Sequence, residues 1–249
     1  MKRRSFLKKA ALVTSSLPWA SSSIFAAASS SQLPSQIVDF TATALSAAIR
    51  QGDVSCVETM SAYLEYIHRV NPTYNAIVSM VEDDELLAQA RACDGQLANG
   101  EYKGWMHGFP HAAKDLTPVK GLVFTSGSPM YADRIAAEDS AMVARLRRNG
   151  AIFIGKTNTP EFGLGSQSYN PVFGATGSAY NPQLTSGGSS GGAASGLGTH
   201  MLPVADGSDM MGSLRNPGAF NNVIGFRPST GLMGSSNPFD RSLSTSGPM

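Results

Sequence analysis

Between Ser186 and Ser213 the chain reads SGGSSGGAASGLGTHMLPVADGSDMMGS, a concentration of glycine around several hydroxyls. Glycine loses more backbone freedom on folding than any other residue, so such a run marks backbone that must approach something closely or take angles other residues avoid. Three accounts compete. Glycine amides cradle phosphate at helix N-termini, but neither G-x-x-x-x-G-K-[ST] nor G-x-G-x-x-G after a strand fits here. A flexible Gly/Ser linker would not carry Val204-Ala205, Met210-Met211 and the apolar stretch to Ile224, all of which want burial. The third account is a serine nucleophile served by backbone amides. Met210, Met211, Gly212 and Ser213 offer successive N–H groups around one hydroxyl, which suits the charge of a tetrahedral intermediate.

A serine hydroxyl also needs a base. His200 with Asp206 or Asp209 would make a Ser-His-Asp set, but Gly-x-Ser-x-Gly is absent around Ser213, which argues against it. A lysine is the remaining type.

Composition narrows the setting. The chain has 249 residues, 42% hydrophobic and 15% charged, so it belongs with globular rather than disordered sequences. Net charge is +1 with no basic block outside the first nine residues, which disfavours a nucleic-acid partner. Those nine, MKRRSFLKK, carry five positive charges; a mildly apolar, Ser-rich stretch follows, and Ala26-Ala27-Ala28 offers a small-residue cleavage site. This is the layout of a signal peptide, and Arg3-Arg4 resembles a twin-arginine signal. The expectation is export to the periplasm or medium, with residues 1–28 removed, a net negative mature chain and no stable membrane insertion. The two cysteines, Cys56 and Cys93, permit one disulfide without requiring it. Cys93 falls on the apolar face Leu86, Ala90, Cys93, Leu97 and reads as a small buried hydrophobe. They and the scattered histidines show no metal-ligand spacing.

Along the chain, residues 29–42 read as a Ser-rich tether and 43–249 as the folded domain. Ser55 and Glu58 have capping-box spacing, and Val57, Met60, Leu64 and Ile67 continue one helical face until Asn71-Pro72 stops it. A second helix runs from about Asp83 to Leu97. Gly108–Ala113 reads as a strand leading into Lys114. Asp139 caps a helix that ends at Asn149-Gly150, and Ala151–Ile154 is a buried strand. Val223–Arg227 and the segment from Ser242 read as further strands. Strand, helix and buried strand in this order argue for an α/β domain.

Four segments carry a resemblance to the amidase signature family: HGFPHAAKDL at 107–116, NGAIFIGKTNTPEFG at 149–163, SGGSSGGAASG at 186–196 and GSDMMGSLRNPGAFNNVIGFRPSTG at 207–231. Their order is the family's order, and the likeness covers residues 35–249. It implies an α/β fold with a mixed central sheet covered by helices. It also implies a hydrolase that cleaves a carboxylic amide or ester bond of a small molecule through an acyl-serine, with no cofactor or metal. By position, Lys114 resembles the family's base, Ser189 the serine that follows a cis peptide bond, and Ser213 the nucleophile. Asp209 and Arg215 would pair to hold the loop and Ser190 would join the hydrogen-bond network. Ser186, Ser195 and Ser208 read as turn or packing residues, and Lys156, a rival base by type, sits in what resembles a structural loop.

Lysine is a base only when neutral. Bringing it from 10.4 to about 7 corresponds to about 4–5 kcal/mol of differential stabilisation, and the apolar flank Phe109–Ala113 favours this by desolvation. Asp115 would oppose it, except that alternation along a strand turns Asp115 to the opposite face. The chain departs from the family at Met211, where glycine is usual: a positive φ there would strain the loop, and a negative one leaves the amide usable. It also stops where the family, roughly twice as long, continues. Two alternatives to a hydrolase follow: an inactive truncated fragment, or one component of an amidotransferase that works on aminoacyl-tRNA. A homo-oligomer is open.

Overall fold

The computed structural model describes residues 36–233 and 243–249; the expected signal segment 1–28 and the first part of the tether lie outside them. Three helices come first in the chain, α1 (Ala42–Gln51), α2 (Cys56–Tyr74) and α3 (Asp83–Ala98), with α2 packed on α3. The start of α2 is closed twice. Ser55 Oγ accepts from Glu58 N at 3.0 Å while Glu58 Oε2 accepts from Ser55 N at 2.8 Å. Asp94 of α3 reaches across to accept from the amides of Cys56 and Val57 at 2.7 and 3.1 Å. The sequence places the end of α2 at Asn71-Pro72; the helix instead continues through Pro72 and ends at Asn75, whose φ is 51°. Asn71 explains the turn that follows. Its Oδ1 accepts from Ala76 N and Ile77 N, both at 2.9 Å, and its Nδ2 donates to Ile77 O, fastening the helix end to β1 (Ile77–Val78).

Against these helices lies a three-stranded mixed sheet in the order β1, β3 (Ile152–Thr157), β2 (Pro110–Lys114). β1 and β3 are antiparallel, β2 and β3 parallel with a register shift between His111 and Ala112. Every residue of β2 and β3 is buried, as expected of strands covered on both faces. Leu45, Ile49, Met60, Tyr63 and Ile67 from the helices meet Ala112, Ile152 and Ile154 in one core. The helix α4 (Ala141–Arg148) is capped by Ser140, whose Oγ accepts from Val143 N at 3.2 Å. Asp139, expected as the cap, is turned to Arg147 and the Lys120 amide instead.

Beyond a small hairpin of β4 (Tyr169–Asn170) and β5 (Gly174–Ala175), helix α5 (Gly191–Gly198) fits against the sheet, and β6 (Asp206–Asp209) pairs antiparallel with β7 (Thr245–Pro248); α6 (Arg215–Asn221) lies between them in the chain. Val223–Arg227, expected as a strand, is irregular. Ile224 and Phe226 are exposed rather than alternately buried, and a Cβ on Gly225 would sit 2.3 Å from the Leu214 carbonyl. The segment is fixed by close packing on that loop and by the Phe226 amide on Pro248 O, not by a ladder.

The glycine run has a steric reason. A Cβ on Gly192 would lie 2.3 Å from Asn158 N and 2.6 Å from Ala76 O, both backbone, so α5 reaches the end of the sheet only without a side chain there. Gly192→Ala is therefore expected to lower stability by about 1–3 kcal/mol, read as a fall in the urea unfolding midpoint. Because Ser189 and Ser190 lead into this helix, the same push displaces them.

Candidate active site

Lys114 ends β2 with its side chain wholly buried. Nζ donates to three hydroxyls: Ser189 Oγ at 2.7 Å, Ser190 Oγ at 2.9 Å and Ser208 Oγ at 3.0 Å. Three hydroxyls around one amine suit both of its protonation states. An ammonium has three N–H donors, which three oxygens accept; a neutral amine has two donors and one lone pair, which one rotated hydroxyl can fill. Ser190 Oγ also lies 3.4 Å from Ser208 O, a route for its own proton, so the Ser189 and Ser208 hydroxyls are the ones free to turn toward the lone pair.

The electrostatics bring the neutral form within reach near neutral pH. Burial pushes the Lys114 amine down, Asp206 and Asp209 push it up, and the balance is about 7. Asp115 faces elsewhere: its carboxylate accepts from the amides of Thr125 and Gly127 and from the Thr125 hydroxyl. Lys156 on β3 stands opposite Ala113 rather than Lys114, so the two buried lysines leave the sheet on opposite faces. Its Nζ donates to Thr117 O, and burial, against Asp115 and Asp206, lowers it to about 8. That contact ties Lys156 to the loop after β2, away from the three hydroxyls.

Ser189 and Ser190 are set by their backbone. The Gly188–Ser189 peptide is cis, Thr159 Oγ1 donates to Ser189 O at 2.9 Å, and Ser190 N donates to Ser213 O at 3.2 Å. This last bond joins the segment before α5 to the loop after β6. Ser213 is half-buried and shares with Ser189 and Ser208 the wall of a cavity of about 1040 Å³. Among the described residues Ser213 Oγ makes no hydrogen bond; it shares this wall with Ser189 and Ser208, two of the hydroxyls that accept from Lys114.

The loop that presents Ser213 is built on Asp209. Its carboxylate is fully buried and accepts from Gly212 N at 2.8 Å, Leu214 N at 3.2 Å and the Arg215 fork at 3.0 Å on each oxygen. Arg227 Nε lies 3.3 Å away. Burial works to raise the Asp209 carboxyl, but these donors outweigh it and bring it down to about 2. The Gly212 amide is thereby committed, which removes it from the four amides the sequence offers for an oxyanion. Those of Met210, Met211 and Ser213 have no acceptor among the described residues. The positive angle that requires glycine falls at Gly212, with φ 116°, and Met211 is free of it. The Met211 side chain is 88% exposed beside the cavity.

Sequence reasoning misses Ser208, which reads as a packing residue. Strand alternation in Asp206-Gly207-Ser208 is the signal that finds it, since Asp206 and Ser208 point to one side of β6 and both meet Lys114. Ser186 and Ser195 bond only to nearby carbonyls. His200 pairs with Asp39 at the surface, so no histidine stands beside Ser213. Cys56 and Cys93 are buried and unbridged.

Residues 58–249 match the protein family described as Amidase. The chain belongs to the amidase signature family. One relative, a component of the glutamyl-tRNA(Gln) amidotransferase of Coxiella burnetii, is 37% identical over 203 residues, 81% of this chain and 42% of the relative. Indoleacetamide hydrolase of Bradyrhizobium diazoefficiens is 40% identical over 185 residues, 74% and 35% of the two chains. A solved bacterial aryl acylamidase of the amidase signature enzymes superposes with a TM-score of 0.78 at 29% identity, covering 84% of this chain and 44% of that one. The mixed α/β architecture is that of these amidase signature structures. The chain spans less than half the length of each of these relatives.

Proposed function

We propose that this chain carries the acyl-transfer machinery of a hydrolase acting on carboxylic amides, and on esters by the same route, with Ser213 as nucleophile. Ser213 Oγ attacks the carbonyl while its proton passes through Ser189 to neutral Lys114. The Met210, Met211 and Ser213 amides hold the oxyanion. Collapse expels the amine, which takes the proton back from Lys114 through Ser189, and water then releases the acid from Ser213. The observation that carries this reading is the buried lysine, lowered to about 7 and ringed by three hydroxyls, two of which, Ser189 and Ser208, share a cavity wall with Ser213.

Transfer to aminoacyl-tRNA, the reaction named for the Coxiella relative, is less well supported. With net charge +1 and no basic block beyond the first nine residues, the chain offers little to a phosphate backbone. Water is the acceptor this chain favours. Incubation of the purified chain with a fluorophosphonate, followed by peptide mass spectrometry, tests the proposal. One adduct per chain, on Ser213, is the expected result; a folded chain that takes up no probe would mean that these residues do not form a working nucleophile, as in an inactive fragment.

A further inference from the structure

At the start of β6, Asp206 is buried directly beside the lysine strand. Its Oδ1 lies 3.0 Å from His111 Nε2, and its Oδ2 accepts weakly from the Lys114 backbone amide at 3.4 Å. His111 is itself buried with its ring edge on Phe153, and its Nδ1 has no partner among the described residues. A proton on Nδ1 would be a buried donor with no acceptor, so the ring's one proton belongs on Nε2, donated to Asp206. The imidazole therefore holds the carboxylate in place through Nε2.

The ionisable groups at this corner are few. His111, Lys114 and then Asp115 come from β2 and its end, Lys156 from β3, and Asp206 and Asp209 from β6. Asp209 is already matched by Arg215 and Arg227, and Asp115 is turned toward Thr125 and Gly127. Of the two carboxylates that act on Lys114, Asp206 is the one with no arginine paired to it, and it acts on Lys156 as well.

We propose that Asp206, held by His111, is a positioning residue that acts through Lys114, supplying the counter-charge that decides at which pH the lysine gives up its proton. Its catalytic consequence rests on the reading of Lys114 as the base; its effect on the lysine does not. Asp206 keeps the amine from being neutralised further by burial, so the lysine retains enough basicity to draw the Ser213 proton.

The test is direct titration of Lys114 by NMR in the full chain carrying 13Cε-labelled lysine, its resonance identified by its loss in Lys114→Met. Asp206→Asn, which keeps the size and one accepting oxygen while removing the charge, is expected to move the Lys114 midpoint down by about one pH unit. The pair replacement His111→Leu with Asp206→Ala removes both partners together, leaves no orphaned charge and is expected to give the same downward shift if Asp206→Asn folds poorly. A midpoint that stays in place or rises in the folded variants overturns the proposal. The fluorophosphonate profile of Asp206→Asn should move acid-ward with the titration. A wild-type chain that forms no adduct at any pH would sink the hydrolase reading alone, while the lysine titration still decides the role of Asp206.

Discussion

Ser213→Ala is expected to abolish the fluorophosphonate adduct and to lower any anilide turnover by about 10⁴-fold or more, with an unchanged unfolding midpoint. The size of the effect follows from the division of labour in the site. The Ser213 hydroxyl makes no bond to the rest of the protein among the described residues, so its removal orphans no buried group. The Ser213 carbonyl still accepts from Ser190 N, and the Asp209–Arg215 brace on the loop is untouched. The change is confined to the atom proposed to form the covalent bond. An adduct that survives in the variant, carried by Ser189 or Ser208 on the same wall, would reassign the nucleophile within the cluster.

How much of this is legible in the sequence depends on the range over which each feature is decided. The start of α2 is readable because Ser55 and Glu58 settle it within one turn. Its end is not, since Asn71 is recruited by the strand that follows and Pro72 costs only one amide near the last turn, where the helix is ending anyway. The sheet is readable from the apolar runs, but the tether of Val223–Arg227 to Leu214 and Pro248 is a tertiary fit that alternation cannot foresee.

The site divides the same way. Motif order singles out Lys114, Ser189 and Ser213, and the structure brings Lys114 and Ser189 into contact across 75 positions. Ser208 and the His111–Asp206 pair escape because each looks ordinary alone. A serine in a glycine-rich strand reads as a turn or packing residue, and His111 reads only as one of the histidines without metal-ligand spacing. Only the packing of β2 beside β6, distant in sequence, sets them next to the lysine. Gly212 is misread for a related reason: a free amide and one bound by a carboxylate three residues earlier are the same letter.

The second large effect is in pH. With Lys114 near 7 in the folded chain, labelling of Ser213 is expected to rise with pH through a midpoint near 7 and to level off above it, because only the neutral amine accepts the serine proton. Lys114→Met should lose that rising limb and cut labelling by at least about 100-fold. The same lysine leaves a mark on stability whose sign is fixed by linkage. Between about 7 and 10.5 the unfolded chain holds a proton on this residue that the folded chain has released, so unfolding binds a proton and the native state gains stability as pH rises. Below about 7 both states are protonated and the cost of burying the charge is felt in full. Relative to Lys114→Met, in which this contribution is absent, the wild-type chain should gain about 1.4 kcal/mol per pH unit through that window. Urea unfolding of both proteins at pH 7, 8 and 9 measures the difference. Parallel stability curves together with a pH-independent labelling rate would mean that Lys114 titrates as an ordinary lysine, and that burial among three hydroxyls does not make it a base.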